Sequence, residues 1–312
     1  MRSVVLVLFL AFFLSGCGPE YTYPADKVPS SIEKICLDEY GIKVNARVVG
    51  KTVGALTLVN SSTDLTKQIS HDTSEKMGKV LQALTRVALS TELPLDFCVT
   101  VLRDRIRKTE LVVIRSVDDT KRANAEMIGI EEANSRTVFG QNRYVPAAGG
   151  AGSFVLKEIK LEDFLVDQMV QRIRFSFAKD AKDENVQPFV LADGSYEKSG
   201  SKKIFQFSVI ALKKEETADT LSTAFKVVSQ VLGGYRFNDF DEVEIKDYSG
   251  RKKLVIPKDA LLLYQTKKIK FEEILKRYTS EFDTAQDAFK LFGFSFSANP
   301  AEVEPASSIA PE

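Results

Sequence analysis

The chain has 312 residues, with 43 Lys and Arg against 43 Asp and Glu, one His, three Cys and no Trp. Balanced charge excludes a general nucleic-acid binder, which needs surplus cations to displace counterions from phosphates. A single histidine excludes any zinc centre built on several. At 44 % apolar and 28 % charged residues, the composition is that of an ordinary folded protein, long enough for one large or two modest cores.

The first element, Val4 to Leu14, is an unbroken apolar run behind one cation, Arg2. As a helix it would span about 16 Å, roughly half the hydrocarbon thickness of a bilayer. That is the length of a signal-peptide apolar region and too short for a membrane-spanning helix. Leu14-Ser15-Gly16-Cys17 follows at once. An aliphatic residue, two small residues and a cysteine in this position resemble the lipobox of bacterial lipoproteins. The resemblance implies that residues 1–16 are a removable signal peptide, with cleavage between Gly16 and Cys17. It further implies export and acylation of Cys17, so that membrane lipid is the first partner. Placement would be the periplasmic face of the outer membrane in a two-membrane source, and otherwise the outer face of the plasma membrane. Gly18 stands where an Asp would resemble an inner-membrane retention signal. Residues 17–31, with three prolines and little aliphatic content, read as a lipidated tether.

Beyond it, Ile32, Ile35, Cys36 and Tyr40 share one helical face, with Ser30 or Ser31 as the expected cap and Gly41 as the stop. Strands are expected over 42–49 and 53–59, separated by Gly50-Lys51. A long amphipathic helix is expected over 73–91, marked by Met77, Val80, Leu81, Leu84 and Val87. Strands over 97–102 and 111–117 flank a charged turn, and a helical stretch follows near 120–133. Residues 146–153 (PAAGGAGS) form the clearest compositional break and read as a linker; the Lys-Ser/Thr ending of a phosphate-binding loop is missing. The pattern then resumes: a helix over 161–175, strands over 187–191 and 204–212 around a turn-rich 193–201, and a helix over 217–232 that Gly233-Gly234 would end. A hairpin over 240–248 and 252–256 turns at Ser249-Gly250, helices follow near 271–278 and 284–292, and 295–312 has the composition of a disordered tail.

The fold class expected is α+β, helices packed on antiparallel sheets, in two similar helix–strand–helix–hairpin halves spanning 32–145 and 154–294. The rhythm of 83–117 matches that of 227–258.

Candidate chemistry is sparse. Cys36 and Cys98 are the thiols left once Cys17 is acylated. In an oxidising compartment they would either form a disulfide or stay as two separately buried thiols. His71 lies between Ser70 and Asp72, but adjacent residues rarely converge on one reacting atom, so it reads as a helix-start residue. Glu131-Glu132, Glu215-Glu216 and Asp239/Asp241 belong to a general charged background, and no calcium loop is formed. Basic residues gather at hairpin tips: Arg103, Arg105, Arg107 and Lys108 in one half, Lys198–Lys203 and Arg251, Lys252 and Lys253 in the other. They form a candidate contact patch for acidic lipid, envelope polymer or envelope protein, or a solubilising edge.

The reading is an envelope lipoprotein acting as a binding or interaction module, with no catalytic residues, metal or cofactor assigned. A cell-envelope hydrolase with an unrecognised site and a structural spacer in an envelope complex are the alternatives.

Overall fold

Proline has no amide hydrogen to lose, so it is tolerated in the first turn of a helix. Pro29 holds that place in α1 (Val28–Tyr40). A computed structural model describes residues 22–60, 69–143, 154–179, 190–211 and 220–282. The signal peptide, Cys17, the 146–153 break, the helix expected over 284–292 and the 295–312 tail lie outside these residues. α1 begins four residues ahead of the expected start, because the Ser30 hydroxyl donates to the Lys27 carbonyl at 3.0 Å instead of capping. Ordered structure reaches back into the segment read as tether: the amides of Thr22 and Tyr23 donate to the Ser90 carbonyl at 3.0 and 3.2 Å. Gly41, at φ 65°, ends the helix in the left-handed conformation that only glycine adopts freely.

The chain then builds β1 (Val44–Val49), β2 (Thr52–Val59), α2 (His71–Leu89), β3 (Phe97–Asp104), β4 (Thr109–Ser116), α3 (Val117–Asn124), α4 (Ile130–Ser135) and β5 (Val138–Arg143). α2 is capped by Ser70, whose Oγ accepts the Thr73 amide at 3.2 Å. His71 is the first residue of that helix. The strands lie in the order β1-β2-β3-β4-β5. β2 and β3 are parallel, and the other pairs are antiparallel. The sheet is therefore mixed, where a purely antiparallel one was expected. The α2 crossover returns the chain to the end from which β2 began, which a tight turn cannot do. Ile32 and Cys36 of α1 and Val80, Leu84 and Val87 of α2 are fully buried. They join Val53, Ala55, Cys98 and Leu102 of the sheet in one core.

The second set of elements is α5 (Leu161–Lys179), β6 (Val190–Ser199), β7 (Lys202–Ala211), α6 (Thr220–Tyr235), β8 (Glu242–Asp247), β9 (Lys252–Pro257), α7 (Lys258–Gln265), α8 (Phe271–Tyr278) and β10 (Thr279–Glu281). Its sheet runs β10-β9-β8-β7-β6, with β7 and β8 parallel and the rest antiparallel. Element order and pairing pattern are those of the first set. Residues 193–201, read as turn-rich, are mostly strand, and the turn narrows to Gly200-Ser201. Gly233 and Gly234 lie inside α6 rather than ending it. A methyl on Gly233 would come within 3.2 Å of the Gln265 amide, so this glycine serves close packing.

The structure parts into two compact units between Gln168 and Met169. The boundary falls later than the compositional break because residues 154–168 pack on the first sheet. A methyl on Gly54 would lie 2.8 Å from Leu156 and 3.2 Å from the Phe154 ring. The Phe97 and Phe164 ring centroids are 5.0 Å apart. Glu158 accepts the Lys51 amide at 3.0 Å, and the Ile159 amide donates to Thr52 Oγ1 at 2.9 Å.

Local geometry repeats between the units beyond element order. The amide of Asp96 donates to the Lys51 carbonyl at 2.8 Å, and that of Asp241 to the Lys203 carbonyl at 2.8 Å. The carbonyls of these two aspartates in turn accept the first amides of α3 and α7, from Val117 and Lys258, each at 2.8 Å. Both helices end at a residue of positive φ, Glu126 at 55° and Lys267 at 58°. The β3 and β4 strands have eight residues each where β8 and β9 have six. A difference of two per strand keeps every side chain on its own face, because the side-chain period is two.

Candidate contact surface

A hairpin tip is positioned by whatever holds the amides of its turn. In the first unit the fully buried Asp104 ends β3, and its Oδ1 accepts the Ile106 and Arg107 amides, both at 2.9 Å. The Arg105 amide is tied to the Val59 carbonyl at 3.1 Å, and Lys108 closes the turn at φ 55°. In the second unit Asp247 takes the same part, accepting the Ser249 and Gly250 amides at 3.0 Å each. The Tyr248 amide donates to Val209 O at 3.0 Å, and Arg251 closes that turn at φ 53°. A short side chain that accepts amides two and three residues ahead fixes a turn without help from the rest of the fold.

The basic residues singled out in the sequence separate on these frames. Arg103 is not a surface residue. It is 8 % exposed and faces Glu110 across β3–β4, with Nε donating to Oε1 at 2.7 Å. A guanidinium within a strand whose eight residues are all buried must be paired, and the register supplies the partner. Arg105, Arg107 and Lys108 are exposed at the first tip and surround Ile106, which is 73 % exposed. Arg251 and Lys252 are exposed at the second tip, whereas Lys253 is half-buried and its Nζ lies 2.7 Å from Glu244. Ser249 draws the second tip onto its sheet, its Oγ accepting from the Ala211 amide at 2.9 Å and donating to Ala211 O at 2.8 Å.

Cys36 and Cys98 stand as two free thiols, both buried in the first core, and the bridge weighed from the sequence is not formed. Burial pushes Cys36 up to about 11, with the nearby Glu39 carboxylate adding to it. Burial pushes Cys98 up to about 12 against the opposing pull of Arg115. Thiols so held are poor nucleophiles at neutral pH. Glu132 serves Arg136, accepting from Nε at 2.8 Å. Asp239 is exposed and lowered mainly by its hydrogen bond from Lys203. Among the described residues there is no group of three or more His, Cys, Asp or Glu placed to hold a metal ion, and no helix is long and apolar enough to cross a membrane.

A cavity of about 460 Å³ opens between Gly41–Asn45, Leu56–Leu58 and Lys76. Two of its polar groups are already engaged: Thr57 Oγ1 donates to Lys43 O at 3.2 Å, and Lys76 pairs with Asp72 at 2.7 Å.

Two features of the rim strands had no sequence signal. Glu33 of α1 accepts the amide of Ala46 on β1 at 2.9 Å. Arg174 of α5 donates to the carbonyl of Ala192 on β6. Each first helix thereby sends a charged side chain to the backbone of its unit's edge strand. A third feature, the exposed Ile106, could have been found by asking which uncharged residue stands amid the basic turn.

No protein-family model matches the chain, and no curated protein or solved structure matches it.

Proposed function

We propose that the chain is an exported lipoprotein, anchored through acylated Cys17, whose two α+β units form a binding module at the membrane surface. The observation that carries the reading is Leu14-Ser15-Gly16-Cys17 directly behind an eleven-residue apolar run. Two or three acyl chains make such an anchor lasting, since each buried methylene contributes about 0.8 kcal/mol. Confinement to a thin layer raises the effective concentration of the units for their neighbours, so that weak contacts suffice. The exposed cations of the β3–β4 and β8–β9 tips support contact with an acidic surface or polymer of the envelope. The reading assigns no reaction.

Metabolic labelling with a fatty-acid probe tests it. The intact chain is expected to incorporate label and to partition with membranes, and Cys17→Ala to lose both. A mature protein that begins beyond Cys17 without acyl groups would sink the reading.

A further inference from the structure

The β3–β4 tip differs from its counterpart in what stands at the apex, and that difference names a partner. Its four residues are Arg105-Ile106-Arg107-Lys108, all exposed, with Ile106 73 % exposed. The matching turn in the second unit is Tyr248-Ser249-Gly250-Arg251, where Ser249 is bound back to Ala211. Among the described residues none of Arg105, Arg107 and Lys108 forms an ion pair. An isolated aliphatic side chain in water is unremarkable by itself. Ringed by three cations on a turn fixed by the buried Asp104, it has the composition of a group that dips below a headgroup layer while its neighbours meet phosphates.

We propose that this tip docks on an anionic phospholipid surface, with Ile106 entering the headgroup–acyl boundary and Arg105, Arg107 and Lys108 engaging lipid phosphates. The assignment rests on the membrane-proximal reading above. The two amides held by Asp104 and the Arg105–Val59 hydrogen bond pre-form the turn, so docking orders little backbone. Lipid is favoured over an acidic protein because the apex residue is apolar and unbranched by any polar group. A polyanion in water would gain nothing from it.

The test uses the acylated chain in vesicles of phosphatidylcholine with or without phosphatidylglycerol, with an environment-sensitive fluorophore on Ile106→Cys and, as control, on Ser249→Cys. Cys17 is blocked by its acyl chains, and the buried Cys36 and Cys98 escape labelling. The label at 106 is expected to shift to the blue and to be quenched by lipid-phase quenchers in anionic vesicles only. Each of Arg105→Gln and Arg107→Gln is expected to reduce the immersed population about fivefold, and the label at 249 to stay in water. A label at 106 that remains in water in both vesicle types overturns the proposal, as does immersion indifferent to phosphatidylglycerol. So does a shift produced equally by a soluble polyanion, which would give the tip to an acidic polymer. The same labelled chain with Cys17→Ser, titrated with these vesicles, separates the two readings. Tip immersion there, in a chain whose wild type takes up no fatty acid at Cys17, keeps the docking and removes the anchor.

Discussion

The two units share a backbone plan and differ on the face of the sheet turned away from the core helices. In the first, that face presents Gly54, Leu56, Phe97, Val99, Val101 and Ile114, and Phe154 and Leu156 lie against it. In the second, the positions equivalent to these are Gln206, Ser208, Glu242, Glu244, Lys246 and Val255, and Glu244 bridges Lys246 and Lys253 at 3.5 and 2.7 Å beside the buried Ile204 and Ile210. β2 is buried at seven of its eight positions, whereas β7 is buried at five of ten and alternates only between Phe205 and Val209. A strand's two faces are independent because the side-chain period is two. The helix-facing half of each pattern therefore sets the plan, and the outer half is free to be apolar throughout in one copy and partly ionic in the other.

The helix pairs after the second hairpins diverge in the same way. Arg136 is 6 % exposed and donates to Asp119 and Glu132, both at 2.8 Å, while Asp119 is itself 3 % exposed. The corresponding Arg277 is exposed, and Ala260 stands in the place of Asp119. Arg136→Ala removes the guanidinium from a buried carboxylate and is expected to cost about 3 kcal/mol, whereas Arg277→Ala should stay within about 0.5 kcal/mol. Urea titration of both variants decides it; equal effects would show that this divergence has no energetic content.

The turn aspartates make the opposite demand, since the comparison requires them to match. Asp104→Ala and Asp247→Ala each release two backbone amides from one side-chain oxygen. Each is expected to cost about 1.5–3 kcal/mol, with the two values within roughly 1 kcal/mol of each other by the same titration. A large loss at one and none at the other would break the equivalence of the hairpins.

The last effect is silent at neutral pH. The two core thiols belong to the first unit alone, and burial raises both of them, to about 11 and about 12. A group whose folded pKa exceeds its unfolded value contributes fully below the unfolded value, near 8.5 for cysteine, and loses that contribution as pH rises toward the folded one. Stability should thus fall between about pH 9 and pH 12, by roughly 1.4 kcal/mol per pH unit for Cys98. Cys98→Ala should flatten that slope, measured as unfolding midpoint against pH; an unchanged slope would remove the thiol from the account.

Much of this plan was legible wherever one face of an element is apolar and the other wet. The α2, β3–β4 and α8 positions follow from such alternation. β5 and β10 escaped because they are short rim strands with mostly exposed residues, which leaves no period to detect. α7 escaped because its Leu261-Leu262-Leu263-Tyr264 run reads as a continuous apolar block. The repeat carried a signal in the segments overlooked: Ile128, Glu131, Glu132 and Arg136 recur at identical spacing as Ile269, Glu272, Glu273 and Arg277. At the contact surface the exposed cations were legible and Arg103 was misplaced. It and Glu110 sit equally far from the turn, a spacing that pairs them across an antiparallel hairpin.

The charged side chains laid against β1 and β6 bear on how one edge of each sheet meets a second chain. An open strand edge invites a second chain to zip onto it. A newcomer at β1 or β6 would first have to dislodge Glu33 from the Ala46 amide or Arg174 from the Ala192 carbonyl. Those two contacts blunt one edge of each sheet.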